Sequence, residues 1–200
     1  MAARLFSAIV PPAELVEELD AFLEPRREAE RRLRWSRPET WHLTTAFMPE
    51  VGDRYLEPLA EALEQVASRT PAFGVELAYG GAFPMPPAAK VLWLGVTEPS
   101  VEPFTKLAER TRNAAVRSGV RVDGARIRPH LTLARSGTPV DATRLVQVLD
   151  TFEGPCWTAG ELLLIESHLH DRARRYEVLE RFPLDTGERE RRWWAKGQSR

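Results

Sequence analysis

Cysteine, lysine and long apolar runs are what this 200-residue chain has least of. Cys156 is the only cysteine. That excludes an intrachain disulfide and a cysteine-built metal site, and makes a reducing, cytoplasmic setting the expectation. No uninterrupted apolar stretch approaches the roughly 20 residues that span a bilayer. The opening residues, Met1 to Val10, are too few and too soon followed by acidic residues to read as a secretory signal, so no membrane partner is expected. Lys90, Lys106 and Lys196 are the only lysines, and the formal net charge is -1. So neutral a chain is no bulk nucleic-acid binder; a nucleic acid must be read locally, at an end or a small site. His168 and His170 lie two apart beside Asp171, but a solvated loop is the better reading there than a metal site, and no other cluster has ligand spacing. No cofactor and no metal are expected, and the chain is taken as a monomer.

Hydrophobic residues at 43% and charged residues at 28% are enough for one large domain or two small lobes with a real core. Leu5 to Val10 reads as a strand, and Leu15, Leu19, Phe22 and Leu23 as one face of a helix that Pro25 ends or kinks. Trp41 to Phe47 reads as a strand followed by a turn at Pro49, Gly52 and Asp53. A second helix then carries Leu56, Leu59, Leu63 and Val66. Phe73 to Tyr79 alternates as one strand; Gly80-Gly81 and the prolines after it read as a loop; Val91 to Val96 is a central strand. Ser100 is a candidate cap for a third helix that Gly119 closes. A strand from about Ile127 to Arg135, a helix capped by Asp141, and two last strands (Leu162 to Ser167, Tyr176 to Phe182) complete the body. From Asp185 the tail is polar apart from Trp193-Trp194 and is expected to be disordered.

Two of these strands carry the same words. Trp41-His42-Leu43-Thr44 and Pro129-His130-Leu131-Thr132 each set a histidine two residues before a threonine in an apolar run. Residues two apart in a strand share a face. His42 should therefore project with Thr44, and His130 with Thr132, while Leu43 and Leu131 point into a core. Two imidazole–hydroxyl pairs facing each other would make a phosphate site with a built-in acid and base. The repeat, 88 residues apart, points to a duplication with the motifs opposed across a cleft. Arg135 follows Thr132 by three, which argues against simple co-projection in a regular strand; its counterpart in the first copy is Phe47, for which a core role is favoured over base stacking. Trp35, Trp41, Phe83 and Trp93 are aromatic candidates for stacking, Trp93 more readily assigned to the core. Arg126 and Arg128 read as solvated arginines rather than phosphate contacts.

The chain resembles the RNA 2′,3′-cyclic phosphodiesterase (2′-5′ RNA ligase-like) family of the two-histidine phosphoesterases. The resemblance is carried by Arg4-Leu5-Phe6-Ser7-Ala8-Ile9, Trp35, His42-Leu43-Thr44, Gly81-Ala82-Phe83-Pro84, Leu92-Trp93-Leu94-Gly95-Val96, Pro129 to Arg135, Ser167 and Tyr176-Glu177-Val178-Leu179. These run in family order from residue 4 to about 184. The chain departs from the family where Phe47-Met48-Pro49 replaces a usual Phe-Leu-Gly, and where Thr45 occupies a usually apolar position. The resemblance implies an α+β fold of two pseudo-symmetric lobes, each a mostly antiparallel sheet with helices outside, in a single bilobal domain spanning residues 1–184. It implies metal-independent opening of RNA 2′,3′-cyclic phosphates to 2′-phosphates in the cleft between the lobes. His42 would be the proton donor and His130 the proton acceptor, with Thr44 and Thr132 binding phosphate oxygens and Arg135 and Phe47 the substrate. Alternatives are 2′-5′ ligation, a small-nucleotide cyclic phosphodiesterase, and a non-catalytic module binding RNA ends.

Overall fold

A computed structural model describes residues 2–168 and 175–187. Its strands are β1 (Ala2–Ile9), β2 (Arg34–Trp35), β3 (Leu43–Gly52), β4 (Phe73–Val75), β5 (Leu77–Phe83), β6 (Ala89–Val96), β7 (Leu131–Val140), β8 (Trp157–Ala159), β9 (Glu161–His168) and β10 (Arg175–Pro183). Its helices are α1 (Ala13–Ala29), α2 (Leu56–Ser68), α3 (Glu98–Arg117) and α4 (Thr143–Leu149). The main sheet runs β10-β9-β1-β3-β7-β6-β5 with antiparallel pairings throughout; β2 adds to β7, and β4 pairs β8 separately. The path narrows at one place. Between β3 and β7 the pairing is Leu43 with Leu131 alone, so the strands part there into two lobes joined at a seam.

The lobes do not coincide with the two halves of the chain. β9 and β10 return from the C-terminal part to flank β1, while α3 leaves β6 in one lobe and packs on β3 in the other. α2 lies against α3 and β10, and α4 covers β5. This interleaving buries Leu43, Leu131, Leu59, Phe104 and Leu149 in one continuous core. A smaller cluster of Phe6, Ala8, Leu163 and Ile165 sits on the β1–β9 pair.

Several elements differ from the sequence reading, each for a packing reason. α1 runs through Pro25 to Ala29. Its buried Leu15, Leu19 and Leu23 hold it to the core, and Arg26 donates to the Phe22 carbonyl while stacking on the Phe22 ring. β3 continues past Pro49 to Gly52; the register skips between Ala3–Val51 and Leu5–Met48, and this bulge accommodates a residue that cannot donate to the ladder. The expected Phe73-to-Tyr79 strand is two strands in two sheets, and Gly80-Gly81 is strand, not loop. A Cβ on Gly81 would enter the Trp93 indole, and the Gly80 N–H donates to Asp150. α3 starts at Glu98, while Ser100 is buried and its hydroxyl accepts from the Glu76 N–H. The second motif strand starts later than expected, at Leu131, after an irregular segment, and runs on through Gly137 and Pro139. Asp185 is tied in by backbone bonds with Thr70 and Ala72. The tail beyond it, Trp193-Trp194 included, lies outside the described residues from 188 onward.

Candidate active site

The site begins at the seam. With Leu43 opposite Leu131, the antiparallel register directs His42 toward Thr132 and Thr44 toward His130. All four are half-exposed, whereas Leu43 and Leu131 are fully buried. Directly opposed residues have Cβ atoms about 5 Å apart and diagonal ones about 7–8 Å, which suits two imidazoles and two hydroxyls gathered around one phosphate. They line a cleft of about 570 Å³.

Each motif strand breaks its alternation at the same point. Ser7 pairs with Ala46 and Ala8 with Thr44, leaving Thr45 unopposed; Leu92 pairs with Ala134 and Trp93 with Thr132, leaving Leu133 unopposed. The residue after each motif threonine is thus a bulge, with two successive buried residues behind it: Thr45-Ala46 and Leu133-Ala134. The bulge moves the third residue onto the threonine's face. Arg135 and Phe47 therefore both line the cleft. This overturns the spacing argument against Arg135 and the preference for Phe47 as core, because both assumed a regular strand. Phe47 is half-exposed and stacked beneath the Arg4 guanidinium at 4.7 Å. The unusual Thr45 is fully buried and exchanges a 2.7 Å hydrogen bond with the Ser7 hydroxyl, so a polar residue is accommodated at a position otherwise suited to an apolar one.

The two imidazoles are held in the same way. His42 Nδ1 lies 2.7 Å from the Thr40 carbonyl and His130 Nδ1 2.7 Å from the Arg128 carbonyl, each two residues upstream. A carbonyl only accepts, so each Nδ1 carries the proton and Nε2 is the nitrogen left for acid–base work. Aromatic rings support both. Phe6 lies 4.5 Å and Tyr176 5.4 Å from the His42 ring; Phe83 at 5.2 Å and Trp93 at 6.0 Å flank His130. The Trp93 indole reaches over Gly81, which explains the glycine.

Burial pushes His130 below the ordinary histidine range; its bond to the Arg128 carbonyl opposes this, and the Arg135 and Arg128 charges act with burial. His130 is thereby biased to the neutral form near neutrality. Among the described residues Arg4, Arg34, Arg37 and Arg135 line the cleft against one carboxylate, Asp123, so the cleft is suited to an anion.

Of the other sequence candidates, Trp35 lines the cleft. Trp41 is buried, at 2% exposure, and is not available for stacking. Phe83 and Trp93 support His130 rather than line the cleft, and Arg126 and Arg128 are exposed, Arg128 with its guanidinium over Trp93 at 5.0 Å. His168 sits between Glu166 and Glu177, and His170 is outside the described residues. Among the described residues no group of three or more His, Cys, Asp or Glu is placed to hold a metal, and no helix is long and apolar enough to cross a membrane. The supporting roles of Phe6, Tyr176 and Trp93 were missed as such, since an aromatic in an apolar strand carries no local sign that it faces a histidine.

Two antiparallel lobes with a histidine strand from each at their seam make this α+β fold that of the two-histidine phosphoesterases. The chain belongs to the 2′-5′ RNA ligase superfamily, whose family model matches residues 11–171. It is 26% identical over 187 residues to the RNA 2′,3′-cyclic phosphodiesterase of Methanothermobacter thermautotrophicus, covering 92% of this chain and all of that one. A Geobacillus stearothermophilus protein of the same name is 27% identical over 155 residues, 75% of this chain but 47% of that longer protein. The apo crystal structure of Escherichia coli LigT superposes with a TM-score of 0.73 at 27% identity, covering 92% of this chain and 98% of LigT, and LigT has also been crystallised with 3′-AMP.

Proposed function

We propose that this chain hydrolyses 2′,3′-cyclic phosphates at RNA ends to 2′-phosphates without a metal. The observation that carries the reading is the pair of Nδ1-anchored imidazoles set diagonally across two threonines, with the pKa of His130 lowered by burial. His130 Nε2 takes a proton from water as the water oxygen bonds to phosphorus. The bond from phosphorus to the 3′ oxygen breaks, and His42 Nε2–H gives its proton to that oxygen. The product is a 2′-phosphate with a free 3′-hydroxyl; solvent then returns a proton to His42 and removes one from His130. Thr44 and Thr132 donate to the non-bridging oxygens where charge grows, and Arg135 offsets that charge. Phe47, beneath Arg4, offers a face for a base. The names of the curated relatives and the arginine-lined cleft support RNA or a nucleotide as the ligand.

The test is to incubate the protein with cyclic-phosphate-ended RNA in excess EDTA and resolve the products. Accumulation of 2′-phosphate is expected. Loss of activity on chelation, a 3′-phosphate product, or binding without turnover over hours would reject the proposal, the last in favour of an RNA-end-binding module. A 2′-5′ linked product formed with a 5′-hydroxyl RNA would show the reverse reaction at the same site.

A further inference from the structure

The residue after each motif threonine is fully buried, and a buried carbonyl needs a donor. In the second motif strand the Ser36 N–H donates to the Leu133 carbonyl at 2.8 Å. In the first, the equivalent carbonyl belongs to Thr45, and Arg112 of α3 reaches it through Nε at 3.3 Å. The same guanidinium donates through Nη1 to the Ala125 carbonyl at 2.6 Å. Ala125 lies in the segment 121–129, which contains no helix or strand. That segment also meets β3 where the Asp123 N–H donates to the Phe47 carbonyl at 2.9 Å, and Asp123 in turn accepts from the Ala125 N–H. Three residues beyond Ala125 is Arg128, whose carbonyl holds His130 Nδ1.

We infer that Arg112 is a positioning residue: it clamps the 121–129 segment onto the β3 bulge and so keeps the Arg128 carbonyl where it orients His130. The inference rests on the reading of His130 as the general base. The planar fork of a guanidinium serves two carbonyls in different directions; an ammonium on a flexible stem is not pre-organised to do so. The end of this connection that lacks ladder support is the irregular segment, not β3, which is paired along its length with β1. The consequence of losing Arg112 therefore falls on His130 and leaves His42 in place.

The test compares Arg112→Ala and Arg112→Lys with Arg110→Ala. Arg110 is two residues away on α3 and donates instead to the Arg69 carbonyl and the Thr70 hydroxyl, so it controls for damage to the helix. On cyclic-phosphate-ended RNA, Arg112→Ala lowers kcat roughly tenfold to a hundredfold, the effect of a displaced catalytic group, with KM nearly unchanged. Arg112→Lys is intermediate and Arg110→Ala matches wild type. In substrate-free ¹H–¹⁵N spectra of the ring nitrogens, the hydrogen-bonded His130 Nδ1–H signal is lost or broadened in Arg112→Ala while that of His42 persists. Wild-type kcat in either Arg112 variant, or equal changes at both histidines, overturns the inference. If Arg112→Ala does not fold, Arg112→Lys decides by the same two readouts. If the wild-type protein turns over no cyclic phosphate, the functional reading fails by itself and the spectra still decide whether Arg112 positions His130.

Discussion

The β3 and β7 strands perform the same construction twice and finish it differently. Each carries His-Leu-Thr, a bulge after the threonine, an Nδ1 bond to a carbonyl two residues upstream, and an aromatic pair against the imidazole. The differences lie in charge and in what completes the bulge. His130 has Arg128 and Arg135 acting on it. The position equivalent to Arg135 is Phe47, and the two bulge carbonyls are served by an Arg112 guanidinium and a Ser36 N–H. The shared parts supply geometry, and under the proposed mechanism the unshared parts are what separate two chemically identical side chains into an acid and a base. An enzyme that needs one neutral and one protonated imidazole gains nothing from perfect symmetry.

The comparison is broken most severely by removing both imidazoles. The double variant His42→Ala/His130→Ala should lose at least about 10⁴-fold in kcat, measured on cyclic-phosphate-ended RNA. Next, Thr44→Val and Thr132→Val should each lower kcat roughly 10²-fold or more if both hydroxyls stabilise the growing charge. A loss confined to one of them would show that the clamp is as asymmetric as the charges. Making the copies alike with Arg135→Phe should lower kcat/KM by roughly 1.5–3 kcal/mol, as a charged hydrogen bond is lost. It also removes one influence that lowers His130. The His130 pKa should rise, and the acidic limb of the pH–rate profile should move to higher pH; an unmoved limb would detach Arg135 from the base. The smallest effect concerns the first bulge. Ser7→Ala leaves the buried Thr45 hydroxyl unpaired and should cost about 1–3 kcal/mol of stability, read from chemical denaturation. Ser7→Ala/Thr45→Val should restore most of it.

Stability should follow the His130 asymmetry too. Its folded pKa lies below the unfolded value, so above the ordinary histidine range the group contributes no difference. As pH falls below about 6.5, the unfolded chain binds the proton first, and stability is lost until pH reaches the depressed folded value. His130→Gln should flatten that part of the stability–pH curve.

Much of this was legible locally. The histidines and threonines, their shared face and the buried leucines follow from a period of two, and α2, α3 and β6 from their apolar patterns. What failed was whatever depended on a partner strand. Pro25 and Pro49 looked like stops because their tolerance comes from packing and a bulge. Gly80 and Gly81 looked like a turn because the indole that needs the space is on β6. Trp41 and Phe47 exchanged expected places, the tryptophan buried and the phenylalanine in the cleft.

The sequence by itself determined which groups are available and, through strand periodicity, which of them share a face. Only the tertiary structure decided that Leu43 meets Leu131, that both strands bulge one residue after the threonine, and that Arg135 thereby reaches the cleft. The reason is physical: periodicity is a property of one strand's covalent geometry, whereas register, bulges and the desolvation that lowers the His130 pKa arise from atoms distant in the chain.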